Sequence, residues 1–303
     1  MIKIAMLGRS EGNGHPYSWS AIINGGYNEE RMKRQPFPVI YDYLSKEPKK
    51  NLGIKGAKVT HVWAEDKKDA EDIAAACMID NIVGSMEDVI GKVDAAVIGE
   101  DVGALHLKMA RPFIEKDIPI FIDKPLTDNE ADLNQFIKYF KAGKKILSSS
   151  GFSCAKEFED IGAYNLGDVR YVDCLMNKSW ETYGIHAIAG IYSVLGDGIE
   201  SVVNLGRKGF DSVHLQYKDD RQAVISQVYT AGMARFDIIG NKGTKVITEF
   251  DAFYMFKKHL TEFIDLVKTG KYPHPYEETV EKIKVVIAAL KSRENEGERI
   301  FIR

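Results

Sequence analysis

Ile118-Pro-Ile-Phe-Ile-Asp-Lys-Pro-Leu126 is a short apolar run that stops at Asp123-Lys124-Pro125 and hands over to a polar, helix-forming segment. Ile and Phe in a run bounded by turn signals predict a strand covered on both faces in a parallel sheet. Proline after Lys124 excludes the helical region for that lysine. Lys124 is therefore expected in extended geometry at the carboxyl end of a strand, where ligands bind in open α/β sheets. A lysine there can donate hydrogen bonds, or lose its proton if partly desolvated. The alternative is an ordinary solvated lysine after a strand.

Outward from this segment, the first half alternates apolar runs with helical patterns. Strands are expected at 3–7, 58–64, 94–98, 118–122 and 146–149, with helices from near His15-Pro16 and at 67–78, 105–116 and 130–142. Strands separated by helices predict a doubly wound parallel sheet. Residues 28–56 form a Pro-, Lys- and Tyr-containing piece longer than a βα connection requires, expected to be an irregular lid, interface element or insertion. After Ser150 the pattern changes to strands at 169–175, 201–205, 212–217, 223–230, 235–240 and 244–248, with one helical stretch at 186–195. This predicts an open, largely antiparallel sheet. Two apolar-periodic helices, 256–269 and 276–293, close the chain and are expected to pack across both domains. The fold class is α/β: a Rossmann-like domain over 1–150, then an α+β domain for substrate binding and oligomerisation over 151–303.

Composition sets limits on function. The 303 residues are 45% hydrophobic and 28% charged, enough for two domains with real cores. A net charge of -3 with intermixed signs offers no basic field for nucleic acid, and no apolar run approaches membrane-spanning length. Cys77, Cys154 and Cys174 form no paired framework; they read as buried thiols and fit a cytoplasmic location. The seven histidines show no metal-ligand spacing, so no metal is expected.

Asp94-Ala-Ala-Val-Ile98, His106, Phe121-Ile-Asp-Lys-Pro-Leu126, Gly184-Ile-His186, Gly240-Asn-Lys-Gly-Thr244 and the ending from Ser292 to Ile300 occur in an order that resembles the Gfo/Idh/MocA dehydrogenases. The resemblance runs nearly end to end, with Asp123-Lys124-Pro125 standing for the family's usual Glu-Lys-Pro. It implies a Rossmann domain with a larger α/β domain, NAD or NADP as cofactor, and a small polyol or sugar-like substrate. It also implies that Lys124 orients the substrate oxygen and that His186 takes the hydroxyl proton. Lys124 and Pro125 would border the cofactor, and a homo-oligomer is expected. The chemistry is coherent, because histidine titrates near neutrality. The other reading of His186 is a hydrogen-bonded helix residue near the core.

Three departures stand against this pattern. Family members place an aspartate four residues before the histidine, where this chain has Thr182; Glu181 and Tyr183 are the candidates to stand in, though their side chains leave a helix in other directions. The loop Gly8-Arg-Ser-Glu-Gly-Asn-Gly-His-Pro16 is not G-x-G-x-x-G. Gly8 is retained, Ser10 takes the second glycine's place, and Asn13 or Gly14 takes the third's. Pro16 at a first helical position leaves a helix amino end facing the loop, and Ser10, Asn13 and His15 are candidate phosphate contacts. Alternatively the loop is simply a polar turn. The second strand ends at Ala64 where an NAD site commonly has an acid, and Glu65 follows one residue late, as a ribose ligand or as a solvated acid. No arginine in this turn supports a 2′-phosphate.

Among the remaining candidates, Glu100-Asp101 binds substrate hydroxyls or caps the next helix. His106 is expected beneath the cofactor loop. Asn177, Trp180, Thr182, Tyr183 and Lys156 are expected in the substrate pocket, whereas Tyr17 and Trp19 read as helix packing. The leading function is an NAD(P)-dependent oxidoreductase acting on a sugar-like or cyclitol-like alcohol. The alternatives are a redox-inactive ligand-binding or regulatory family member, and an enzyme that uses transient redox steps for a non-redox outcome.

Overall fold

The first apolar runs build a six-stranded, all-parallel sheet. The structure is a computed structural model describing residues 1–302 of the chain. Its strands are β1 (Ile2–Leu7), β2 (Ala57–Trp63), β3 (Asn81–Ile82), β4 (Ala95–Ile98), β5 (Ile120–Ile122) and β6 (Ile146–Leu147), ordered β3-β2-β1-β4-β5-β6. Every residue of β4 and β5 is buried, as their unbroken apolar sequence requires. The order reverses between β1 and β4, and the carboxyl ends on either side of such a switch are where an open sheet binds ligands.

Helices α1 (His15–Asn24), α2 (Glu29–Arg34), α3 (Pro38–Lys46), α4 (Lys67–Cys77), α5 (Gly103–Ile114) and α6 (Glu130–Lys141) lie between these strands. The 28–56 segment is thus largely helical, not irregular. Asn28 caps α2 by accepting the Arg31 N–H, Pro38 opens α3, and Met32, Ile40 and Leu44 give the pair a buried side. The short strand β3 has no counterpart in the sequence pattern, since two exposed residues carry no periodicity.

The second sheet has seven strands: β7 (Val169–Asn177), β8 (Ile199–Asn204), β9 (Phe210–Tyr217), β10 (Gln222–Val228), β11 (Arg235–Gly240), β12 (Gly243–Ile247) and β13 (Ile300–Phe301). Their order is β12-β11-β7-β10-β9-β8-β13, antiparallel except for the parallel pair β7–β10. Alternation is strict in β10, where Ala223, Ile225 and Gln227 are buried and the intervening residues are half-buried. After the short α7 (Lys156–Glu159), helices α8 (Trp180–Leu195) and α10 (Tyr276–Glu294) pack on this sheet. Between β12 and α10 runs α9 (Ala252–Thr269).

The chain divides into two compact units, and the division is not a single cut after residue 150. The first unit comprises Met1–Thr127, Gln135–Ser149 and Phe256–Pro273; the second comprises Asp128–Asn134, Ser150–Met255 and His274–Arg303. Phe256 and His259 join the first unit because their rings meet Trp19 on α1. The three cysteines are free and buried, and no helix among the described residues is long and apolar enough to cross a membrane.

Candidate functional site

Three strand ends carry the polar groups of the first unit. Gly8 follows β1 with φ +81°, a conformation open to glycine, and a Cβ there would meet Met109 at 2.9 Å. Glu100 and Asp101 follow β4, and Asp123 and Lys124 follow β5. Asp123 and Lys124 are buried. The peptide between Lys124 and Pro125 is cis.

These groups form two linked sets. In one, Lys124 Nζ lies 3.2 Å from Asp101 Oδ2, while the Ser10 hydroxyl donates to the other oxygen of Asp101. Glu100 Oε1 accepts the N–H groups of Asp101 and Val102, 3.1 and 3.3 Å away, so this carboxylate ties the entry to α5. In the other set, Asp123 Oδ2 is 2.6 Å from His15 Nδ1 and 2.9 Å from Asn13 Nδ2. Its Oδ1 accepts the Lys124 N–H at 2.7 Å. Burial pushes the Asp123 carboxyl up, but the charges of His15 and Lys124, with hydrogen bonds from His15 and Asn13, outweigh it and hold the group well below the usual carboxylate range. His106, fully buried, sets one ring nitrogen 2.8 Å from the Glu100 carbonyl and the other 2.8 Å from the Pro125 carbonyl. It bridges the β4 and β5 strand ends, a more specific place than the expected packing beneath the loop.

The expected phosphate contacts are redistributed. Asn13 is buried; its amide donates to Gly99 O and Asp123, and its oxygen accepts the His15 N–H. Asn13 is a brace for the loop and not a phosphate ligand. Gly14 is covered by the α2–α3 segment, since a Cβ would lie 2.4 Å from Ile40 Cδ1 and 2.8 Å from the Phe37 ring. What the loop does offer is backbone. Among the described residues, the N–H groups of Arg9, Ser10, Glu11 and Gly12 make no hydrogen bond, and Gly8 and Gly12 both have positive φ. A run of unpaired amides at a strand end fits the pyrophosphate of a dinucleotide.

At the second strand, Ala64 is buried and Glu65 is exposed, while Asp66 caps α4 by accepting the Lys68 N–H. Sequence reasoning missed Arg9 here. Its guanidinium reaches 2.7 Å from Asp69 in the first turn of α4, and lies 5.9 Å from the Phe37 ring centre. An arginine directly after the strand-end glycine was the available signal.

In the second unit, His186 is buried on α8, with Nδ1 2.7 Å from Ser150 Oγ. Ser150 Oγ also accepts the Phe152 N–H at 3.1 Å. The Tyr183 ring meets the imidazole edge-on at 4.7 Å. Thr182 pairs its hydroxyl with Ser179 at 3.0 Å, and Ser150, which holds the His186 Nδ1, comes from a part of the chain no local motif would reveal. Glu181 does not replace the missing aspartate, because it binds Arg293 at 2.7 Å, and Arg293 also binds Asp211 at 2.8 Å. Trp180 is sealed in the core, donates to Val286 O at 3.1 Å and packs against Gly184, which removes it from the expected substrate pocket. Lys156 pairs with Asp251, Lys178 donates to the Tyr183 hydroxyl at 2.6 Å, and the Asn177 carbonyl accepts the Gln227 amide. Asn177 is half-buried at the end of β7.

A doubly wound parallel sheet with an amide-lined turn after its first strand, joined to a second unit built on an open mixed sheet, defines a Rossmann-type two-unit α/β protein. Residues 44–150 match the Gfo/Idh/MocA oxidoreductase family, NAD-binding Rossmann fold, and over that segment the chain carries the fold of this family. The match begins after the altered loop and most of the α2–α3 segment. No curated protein matches the chain. Among solved structures, it resembles myo-inositol 2-dehydrogenase from Lactobacillus plantarum at 14% identity and a TM-score of 0.73, covering 100% of this chain and 99% of that one. Scyllo-inositol dehydrogenase from Lactobacillus casei aligns at 12% identity and a TM-score of 0.72, over 99% and 98% of the two chains. An oxidoreductase from Agrobacterium radiobacter, solved with NAD+, L-tartaric acid and magnesium, aligns at 11% identity and 0.74, again over 99% and 98%. At these identities the likeness shows the fold.

Proposed function

We propose that the protein is an NAD(P)-dependent oxidoreductase that moves a hydride between a nicotinamide cofactor and a CH–OH group of a sugar-like or cyclitol-like alcohol. The observation that carries this reading is the buried Lys124 at the end of β5, in a segment that matches an NAD-binding oxidoreductase family, beside an amide-lined turn after β1 that lies outside that segment. The Arg9–Gly12 amides would hold the pyrophosphate, with Gly8 allowing its close approach. A bound nicotinamide supplies the hydride acceptor.

Lys124 has the role of donating to the substrate oxygen. Its partner Asp101 holds the lysine head in place, and Ser10 limits how far that carboxylate can move. His186 has the role of accepting the hydroxyl proton. When its Nδ1–H donates to Ser150 Oγ, Nε2 is the nitrogen that accepts, so Ser150 selects the tautomer. Tyr183, Thr182, Asn177 and Lys156 are the candidates for contact with substrate hydroxyls.

A homo-oligomer formed through the open face of the second sheet belongs to the same reading. Phe210, Ile239 and Val246 are large apolar residues left 50%, 38% and 44% exposed on its strands.

The test is cofactor reduction with a panel of inositols, aldoses and sugar acids, using wild type, Lys124→Ala and His186→Ala. Reduction by at least one polyol, lost in both variants while they remain folded, supports the proposal. Full activity in both variants would remove these residues from the chemistry.

A further inference from the structure

Three acceptor oxygens in the second unit are sealed from solvent with no hydrogen-bond partner among the described residues: Glu181 Oε2, Asp211 Oδ2 and Gln227 Oε1. They belong to neighbouring side chains. Arg293 donates through one terminal nitrogen to Asp211 Oδ1 at 2.8 Å and through the other to Glu181 Oε1 at 2.7 Å, so the two carboxylates sit side by side on one guanidinium. Asp211, 3% exposed, and Gln227, fully buried, stand directly opposite each other in the β9–β10 ladder. Side chains in such a cross-strand pair are within reach of each other.

The other bonds of each group fix which oxygen is left. The Gln227 amide nitrogen faces the carbonyls of Asn177, Lys178 and Ser179, which only an N–H can meet, and this settles the end of the amide that carries the oxygen. Asp211 Oδ1 accepts from Arg293 and, at 2.9 Å, from the Asn204 amide, which leaves Oδ2. The same contacts set the cluster against the turn from β7 into α8, just ahead of Thr182 and Tyr183.

Buried acceptors in native proteins are met by a donor, a water or an ion. Charge selects among these here. Two carboxylates less one guanidinium leave a single negative charge, and Lys208, which also acts on Glu181, does so from an exposed position where solvent screens it. A water has two protons to donate, so one oxygen would stay unmet and the charge uncompensated. A divalent ion beside Arg293 would make the cluster net positive. A monovalent cation meets all three oxygens and brings the charge to zero, and carboxylate and amide oxygens suit hard cations. We propose that Glu181, Asp211 and Gln227 bind a sodium or potassium ion that fixes the turn into α8, whether or not the first unit holds a dinucleotide.

Chemical denaturation of the full-length protein in NaCl, KCl and choline chloride at one ionic strength tests this, because choline reproduces the screening but is too bulky for the cluster. The expected result is a higher midpoint in NaCl or KCl, with the unfolding constant falling by up to about tenfold for each tenfold rise in the bound cation. Glu181→Gln keeps an oxygen for Arg293 and turns an N–H toward the cluster, so the selective stabilisation should disappear. Equal midpoints for wild type in all three salts overturn the proposal, and a trapped water then meets these oxygens. Selective stabilisation retained in full by Glu181→Gln also overturns it, since the cation then acts elsewhere. Thallium(I) soaked into wild-type crystals locates the ion without any variant: its anomalous peak belongs beside the three oxygens, and peaks only at other places contradict the assignment.

Discussion

Lys124 Nζ lies 3.2 Å from Asp101 Oδ2, and Ser10 holds the opposite oxygen of the same carboxylate. The lysine at the end of β5 is thus tied through one side chain to the turn after β4 and the turn after β1. This arrangement holds a nearly buried lysine head in place, with its partner side chain only 18% exposed.

Lys124→Ala is expected to cut turnover about 100-fold or more, a range typical of a lost positioning or proton-transfer group. It should also cost about 1–3 kcal/mol, since Asp101 loses its charged partner. Lys124→Arg should not restore activity, because the planar guanidinium cannot take the place of a compact ammonium. Steady-state kinetics and urea melts check both parts; an active, fully stable alanine variant would contradict them.

Gly14→Ala forces a methyl group into atoms of Phe37 and Ile40. Overpacking of this kind costs about 1–3 kcal/mol. The loss should appear as a lower denaturation midpoint, and Phe37→Ala in the same chain should recover part of it. Additive losses would mean that α3 does not cover the loop.

His259 makes stability depend on acid. Burial, with a smaller contribution from the charge of His15, lowers it from an ordinary 6.5 to about 3 against a weaker opposing effect of Asp123. Between those values the unfolded chain binds a proton that the native protein excludes. Its contribution is complete above 6.5 and is lost as pH falls toward 3, by up to about 1.4 kcal/mol per pH unit. Both ring nitrogens are buried without partners, so His259→Phe should be tolerated and should flatten this acid slope. Chemical denaturation at a series of pH values measures it, and an unchanged slope would refute the assignment.

Arg9 is engaged by Asp69 at 2.7 Å, which leaves less of its charge for a 2′-phosphate. The expected preference is NAD over NADP. Asp69→Ala should raise NADP affinity relative to NAD by about tenfold, or about 1.4 kcal/mol. Dissociation constants for the two cofactors in both proteins decide this, and an unaltered ratio would place the ribose elsewhere.

Much of this architecture was legible in the chain. Ile118 to Ile122 reads as a buried strand because nothing polar interrupts it, and Pro125 fixes its end; β5 and the Asp123-Lys124 terminus follow. The reading of 28–56 as irregular failed because α2 and α3 are short and bury only Met32, Ile40 and Leu44, too few positions to register a helical period. The site was less legible than the fold. Asp123–His15, Ser150–His186 and Arg9–Asp69 join residues 108, 36 and 60 positions apart, and no spacing rule encodes such pairs. Trp180 and Asn13 show the converse error. Residue types that suit ligand binding were assigned to it by position, and both are consumed by interior hydrogen bonds.

We propose that the turn from Gly8 to Gly12 still holds a dinucleotide despite its lost glycines. Native mass spectrometry and calorimetric titration of the purified chain with NAD, NADH, NADP and NADPH check this. The expected result is saturable binding of one dinucleotide per chain, with NAD or NADH preferred. Absence of binding by all four would contradict it and point to a non-redox ligand on the same scaffold.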